Sequence, residues 1–315
     1  MVKDAVPLGE CRRALVVKLA SPTDVLLAGP VLSALKARGV EADVLVYDDT
    51  AAVMARHPDV SHLHLVGRSW SREFAKEIQL FRTLRARSYA LLIHLCDHLR
   101  GAWLARMLGT RYSVAPLARR GRLWRTSFSH LYPVARRRHE VELNLDALRR
   151  IGVYPAPEER KLRFVPGREA QRKVERLVPG GFVQVHASPA WPAAKHAALI
   201  DRLAAERHRV VVTAMPDPQA MALVAQVLGE ATSGVQSLAG QLSLEELGAL
   251  SARARLFVGG ESVAMHLAAA VGTPVVGLCG SGGAERAPWN VAVRALAECS
   301  PVDAAHAAAV ELLAA

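Results

Sequence analysis

Read for polarity alone, the first part of the chain alternates between two kinds of segment. Short apolar runs fall at residues 14–19, 42–46, 62–66, 90–95 and 112–115. Each has the length of a strand buried on both faces. Between them lie segments whose apolar residues recur every three or four positions. These are 25–38 (closed by Gly39), the shorter 51–56, then 72–87 and 100–108. In 72–87, charges interleave with Phe74, Ile78, Leu80, Phe81 and Leu84, the mark of an amphipathic helix. Strands alternating with helices at this spacing predict a parallel, doubly wound sheet.

The alternation stops at 116–138 and a helix follows at 140–151. Pro155 and Pro157 then mark 152–160 as a linker. Beyond it the pattern resumes. Helices are predicted at 171–177, 193–206, 219–228 and 244–252, with strands at 182–186, 208–214 and 236–239. Ser243 and Glu246 have capping-box spacing ahead of 244–252. The tail, 292–315, is Ala-rich and reads as mostly helical. The predicted fold class is α/β, with two Rossmann-like domains, each on a parallel sheet, facing a central cleft. The boundary falls between about residues 155 and 166 and is taken as 1–155 and 156–315, with room for the last helix to pack back on the first domain.

The stretch 252–283 carries the densest signal. Leu256, Phe257 and Val258 read as a strand that Gly259 and Gly260 break. Glu261 and Ser262 open a helix through Val271, Gly272-Thr-Pro ends it, and residues 275–278 make a second strand. A glycine turn at a helix N-terminus presents free amides and the positive end of the helix dipole, a setting that favours an anion such as a diphosphate. An ordinary crossover without a ligand has the same pattern, so both readings stand on this stretch alone.

Composition narrows the class. The chain has 315 residues, 51% apolar and 22% charged, as expected of a globular protein with a sizeable core. Its 40 basic residues exceed the 29 acidic ones, giving a net charge of +11. Such a surplus suits a polyanionic partner: nucleic acid, a phosphorylated saccharide or an anionic membrane surface. Cys11, Cys96, Cys279 and Cys299 form no Cys-x-x-Cys pair, which argues against zinc and fits a reducing cytosol. No signal peptide and no membrane-spanning run is evident, so membrane contact is expected to be peripheral. The segment 119–138 concentrates Arg119, Arg120, Arg122, Arg125 and Arg136 to Arg138 among Trp124, Phe128 and Tyr132. Arginine forks suit phosphates and acidic sugars; with aromatics between them they also suit nucleic acid, and a solvated loop would look the same.

Four segments together resemble the lipopolysaccharide heptosyltransferases. They are Leu15-Val-Val-Lys-Leu-Ala-Ser-Pro-Thr-Asp-Val-Leu-Leu-Ala-Gly-Pro-Val-Leu-Ser-Ala-Leu-Lys, Arg149-Arg-Ile-Gly-Val, Leu238-Ala-Gly-Gln-Leu-Ser-Leu-Glu-Glu-Leu-Gly-Ala-Leu, and the stretch around Ser262 to Val276. In order and spacing they cover most of the chain, and in detail they look most like the heptosyltransferase III branch. The resemblance implies a GT-B fold with an N-terminal acceptor domain and a C-terminal nucleotide-sugar domain. It implies transfer of heptose from ADP-heptose to the lipopolysaccharide inner core, inverting and without a metal or other cofactor. The expected partners are that donor, the phosphorylated core acceptor and the inner face of the cytoplasmic membrane, with no nucleic acid.

Transfer from a nucleotide diphosphate needs a base at the acceptor hydroxyl and stabilisation of the departing anion. Asp24 matches the family's base, although a first-turn Asp also stabilises its own helix. Glu261, Ser262, Val263, Ala264, Met265 and His266 match the donor segment, and Arg119, Arg120, Arg122 and Arg125 are the candidate acceptor residues. Three positions depart from the family. Pro22-Thr23 stands where a Gly precedes the base, Glu261 replaces an Asp, and Pro189 replaces a Lys in a shortened loop before Trp191-Pro192. These departures leave open a second reading, a nucleotide-sugar-binding homologue that turns over weakly or not at all.

Overall fold

The structure is a computed structural model that describes residues 4–68, 74–117, 121–135, 137–189, 191–280 and 285–315. The chain divides into two compact units, Met1–Arg163 and Phe164–Ala315.

In the first unit the strands are β1 (Arg13–Val17), β2 (Glu41–Tyr47), β3 (His62–Val66), β4 (Leu91–His94), β5 (Tyr112–Pro116) and β6 (His130–Tyr132). They form one sheet in the order β3-β2-β1-β4-β5-β6, parallel throughout. The helices are α1 (Pro22–Leu26), α2 (Gly29–Lys36), α3 (Phe74–Ala86), α4 (Leu99–Leu108), α5 (Arg122–Ser127) and α6 (Glu140–Arg150). The predicted helix 25–38 is thus two helices. Pro30 has no N–H to give Leu26, so the chain breaks at Leu27-Ala28 and restarts. The short helix expected at 51–56 is a 3-10 turn over Asp48–Val53. Both α5 and β6 lie in the segment that broke the sequence pattern. Leu84 of α3, Leu104 of α4 and Trp124 of α5 share one buried cluster with Leu15, Leu45 and Leu92, so α3, α4 and α5 cover the same face of the sheet.

The second unit repeats the plan. Its strands are β7 (Val183–His186), β8 (Val210–Thr213), β9 (Gln236–Ser237), β10 (Leu256–Gly260), β11 (Val275–Cys279) and β12 (Val293–Ala297). Their order is β12-β11-β10-β7-β8-β9, again parallel. Its helices are α7 (Arg168–Leu177), α8 (Ala193–Ala205), α9 (Pro218–Glu230), α10 (Leu244–Ser251), α11 (Val263–Ala270) and α12 (Val302–Ala314). The Ser243–Glu246 capping box forms as the sequence predicted. The tail is not helical throughout, because Val293–Ala297 adds an edge strand beside β11. The last helix, α12, buries Ala305, Ala309 and Leu312 with Leu256, Val276 and Leu199 of its own unit.

With strands counted from its own first, each sheet has the same order. In each, two strands with opposite crossover directions lie side by side: β1 and β4 in one, β7 and β10 in the other. Open α/β sheets bind ligands beyond the carboxyl ends of such strands.

Candidate active site

Asp24 follows β1, a strand of the first switch point. Ser21 is the N-cap of α1; its hydroxyl accepts from the Asp24 amide at 3.2 Å and donates to the Asp24 carboxylate at 2.7 Å. The carboxylate is therefore oriented by its own helix cap and is half-buried. The capping role and the base role are compatible, since a carboxylate has two oxygens and the Ser21 proton takes one of them.

Behind this turn the strand ends on a charge. Lys18 is 3% exposed, and its ammonium donates to Leu95 O at 3.0 Å, Glu140 Oε1 at 2.8 Å and Asn144 Oδ1 at 3.0 Å. Asn144 in turn donates to Leu27 O at 3.1 Å, just past the end of α1. All three lysine donors thus have acceptors, as a buried ammonium requires. Sequence reading passed over Lys18 as part of a strand. The available signal was a lone Lys inside an otherwise apolar run.

Two further side chains, His94 and Cys96, lie at the end of β4, and only the cysteine drew attention in the sequence. His94 is fully buried against Trp124 and Phe128, and its Nε2 lies 3.0 Å from His98 O. A Cβ on Gly101 would sit 2.2 Å from the His94 ring, so α4 reaches the sheet only because residue 101 is Gly. Burial pushes the Cys96 thiol up, but the adjacent His94 imidazole, 3.7 Å from the sulfur, more than offsets this and brings it to about 7.

Of the four candidate arginines, Arg119 and Arg120 lie outside the described residues. Arg122 and Arg125 are both exposed on α5, which follows β5. They share a sheet with Asp24, two strands away from β1.

The donor segment is one continuous turn. Gly259 and Gly260 do not break the strand as expected; they finish β10, paired with Gly277 and Leu278 of β11. Their role is close approach. A Cβ on Gly259 would meet His186 O at 3.0 Å, and one on Gly260 would fall 2.2 Å from the Ser188 hydroxyl. Ser188 follows β7, so the ends of β7 and β10 are pressed together at the second switch point.

Ser262 caps α11, accepting from the Met265 amide at 3.4 Å and donating to Gly260 O at 3.2 Å. Val263 and Ala264 supply the remaining first-turn amides, which point away from the helix with no intrahelical acceptor. The side chains of Ala264, Met265 and His266 are fully buried. Met265 packs with Leu247, Phe257 and Val275, so backbone is what this segment offers a ligand. Glu261 is exposed, and its Oε1 lies 3.5 Å from Arg286 Nε. The chain thus places a guanidinium beside the start of α11. Sequence reading missed Arg286 because it lies beyond the motif.

Pro189 leads into Trp191, which is buried and donates from Nε1 to Ser300 O at 3.3 Å. Lys195 turns to the same loop, donating to Cys299 O at 3.1 Å and Ser300 O at 3.0 Å. Its ammonium is committed there. Beneath the turn, His186 stacks on Phe257 and its Nδ1 lies 3.0 Å from Thr213 Oγ1. Burial pulls its pKa down to about 4, and His196 adds to the effect.

Among the described residues, no three His, Cys, Asp or Glu side chains gather as a potential metal site. Nor, among the described residues, is any helix long and apolar enough to cross a membrane.

The comparisons with known proteins agree with one another. Residues 78–309 match the family model for glycosyltransferase family 9 (heptosyltransferase). A lipopolysaccharide heptosyltransferase 3 of Escherichia coli is 33% identical over 274 residues, covering 82% of this chain and 80% of that protein. Among solved structures, a family 9 glycosyl transferase from Veillonella parvula superposes with a TM-score of 0.89 at 18% identity, covering 99% of both chains. An Escherichia coli heptosyltransferase solved with ADP gives 0.74 at 21% identity, covering 95% of this chain and 99% of that one. At these identities the structural matches speak for the fold.

Proposed function

The chain belongs to glycosyltransferase family 9, the heptosyltransferases, and from that membership we propose that it transfers heptose from ADP-heptose to the inner core of lipopolysaccharide, with inversion at the sugar carbon. The observation that carries this reading is the β10–α11 turn. It combines a capped helix start, two strand-ending glycines and an adjacent guanidinium at the switch point of the second sheet. That turn suits the diphosphate of the donor. In this reading the Val263 and Ala264 amides and the Ser262 hydroxyl hold it, His266 supports the turn from within, and Glu261 positions Arg286 towards it.

The chemistry balances with the residues present. Asp24 accepts the proton of an acceptor hydroxyl. The oxygen attacks the anomeric carbon from the face opposite the diphosphate, whose bond to that carbon breaks. ADP leaves with the bonding pair. Its charge is met by amides, the helix dipole and Arg286, so the proposal assigns no metal or resident cofactor. The first unit takes the acceptor, with Arg122 and Arg125 (and, in the sequence, Arg119 and Arg120) matched to core phosphates.

Asp24→Asn should lower single-turnover transfer by at least about a hundredfold, the low end of general-base contributions, while calorimetric ADP binding persists. Transfer by the unaltered enzyme should continue in a chelator. Near-normal turnover by the variant would remove Asp24 from the role.

A second reading has one observation in its favour. Pro189 occupies the Lys position, and Lys195 is tied to the 299–300 carbonyls. A protein that binds ADP-heptose and yields no product with a heptose-bearing core acceptor would be that non-catalytic homologue.

A further inference from the structure

The cysteines occupy three kinds of surroundings, and one of them serves more than packing. Cys11 and Cys279 are buried, and burial pushes both thiols up. Cys299 is exposed. Cys96 is half-buried two residues past the end of β4, with its sulfur 3.7 Å from Nε2 and 3.9 Å from Nδ1 of His94. The His94 ring is fixed in its tautomer. Its Nε2 lies 3.0 Å from His98 O, and a carbonyl oxygen only accepts, so Nε2 carries the proton of the neutral ring. Nδ1 is then the nitrogen with the lone pair, able to take a proton from the thiol. The ring is also fixed in place, fully buried against Trp124 and Phe128, with Gly101 of α4 so close that a Cβ there would overlap it. A nucleophile, a base beside it and a third group orienting that base are the parts of an activated thiol.

The surroundings favour the thiolate. Besides His94, the backbones of Leu19 and His98 hydrogen-bond towards the sulfur, and together they outweigh the burial that pushes the thiol up. Tyr47 from β2 and Tyr132 from β6 face the same place and are pushed up by burial, so both stay neutral near pH 7. Lys18 from β1 sets its ammonium on Leu95 O, next to the cysteine, where Glu140 and Asn144 of α6 hold it. On the cysteine's own loop Asp97 is exposed, and His98 Nδ1 accepts the Arg100 amide. Among the described residues no third ligand joins Cys96 and His94, so the pair suits covalent chemistry rather than a metal. Glycosyl transfer leaves the thiol unused, and a cysteine that only fills space needs no oriented base.

We propose that Cys96 is a modification site, a nucleophilic thiolate with His94 as its base, which peroxides oxidise reversibly to a sulfenic acid. The thiol proton passes to Nδ1. A sulfur lone pair attacks one peroxide oxygen, and the S–O bond forms as the O–O bond breaks. The departing oxygen takes the proton back from Nδ1 and leaves as water or an alcohol. Sulfur loses two electrons and the peroxide gains them. A low-molecular-weight thiol restores the site: its sulfur displaces water to give a mixed disulfide, and a second thiol releases Cys96 as the two small thiols pair. The inference does not depend on glycosyl transfer, because every readout is on the thiol itself.

The test uses the full chain with Cys299→Ser, which removes the exposed thiol. Iodoacetamide labelling, located by peptide mass mapping, should reach Cys96 first, at a rate that is half-maximal near about pH 7. Hydrogen peroxide followed by dimedone should tag Cys96, and dithiothreitol given between the two should prevent the tag. In His94→Gln the labelling midpoint should move above about pH 8.5, the ordinary thiol value. Its rate at about pH 7 should fall roughly fivefold or more, since a more basic thiolate regains part in nucleophilicity of what it loses in abundance. Because the His94 ring is buried, an unchanged melting temperature checks that variant; if it does not fold, the pH profile with His94 in place decides. A midpoint at or above about pH 8.5 with His94 present overturns the proposal. So does labelling of Cys11 or Cys279 as fast as Cys96, which would mean that opening of the fold exposes all three. Absence of a dimedone tag on Cys96 overturns it as well.

Discussion

His186 ends β7 with its ring sealed between Phe257 and Thr213, held neutral by burial. Its folded pKa of about 4 lies below its ordinary 6.5. Between those values the unfolded chain binds a proton that the folded one refuses. Stability is therefore fully present above about pH 6.5 and is lost as pH falls towards 4, by at most about 3 kcal/mol for this ring. His57, buried in the first unit and also lowered to about 4, obeys the same sign. In His186→Gln the urea-unfolding free energy of residues 164–315 should depend less on pH across that window; an unchanged slope would mean that the ring titrates normally. Asp43 is the complementary case. Burial pushes its carboxyl up, but hydrogen bonds from His64, Arg87 and Tyr89 outweigh it and hold the group well below 3.8. Its contribution is present above the ordinary carboxylate value and is lost only as pH falls below it.

At the scale of elements, the end of β10 governs the donor site. Gly259→Ala presses a methyl group on a backbone carbonyl that cannot retreat without disturbing the β7–β10 ladder, and should cost about 2 kcal/mol. Gly260→Ala meets the Ser188 side chain, which can rotate away, so its stability cost should stay below about 1 kcal/mol. ADP affinity should fall more in Gly260→Ala than in Gly259→Ala, because the former moves a hydroxyl at the switch point. Thermal melts paired with ADP calorimetry separate the two effects, and equal affinity in both variants would detach Ser188 from the site. The sequence disclosed the central strands because continuous apolar runs such as Leu15-Val-Val and Leu91-Leu-Ile suit burial on both faces. It hid β6 and β12, which are edge strands. Val-Arg-Ala-Leu-Ala is largely exposed in β12 and contains good helix formers, so neither periodicity nor propensity marks it. Likewise the motif disclosed Ser262 to His266, but not Lys18, Ser188 or Arg286. Their importance comes from which strand ends lie side by side, and spacing along the chain does not encode that.

The whole molecule joins two sheets of one topology, one in a strongly basic unit and the other in a nearly neutral one. Each unit has its own sheet and core, the condition for folding alone. Residues 164–315 expressed alone should therefore unfold cooperatively, bind ADP and pass through a cation exchanger at neutral pH that retains the full chain. A fragment that is unfolded, or folded without ADP affinity, would place part of the donor site on the first unit. The net charge of +11 was visible at once, but its meaning was not. The surplus became informative only when the boundary assigned all of it to one unit: residues 1–163 hold 28 Lys and Arg against 16 Asp and Glu, whereas residues 164–315 hold 12 against 13.

Lys18 has a consequence for the order in which this protein comes into being. Its ammonium, on the first strand, closes on Asn144, 126 residues further along the chain. At ribosomal rates of roughly 5–20 residues per second, β1 waits on the order of ten seconds for that partner to be made. Throughout that interval the ammonium stays hydrated, and the central strand cannot be sealed from the side where α6 will lie. The first unit is thus finished near the close of its own synthesis, and a nascent chain paused before residue 140 would hold all six strands but leave the side that α6 covers open for chaperones.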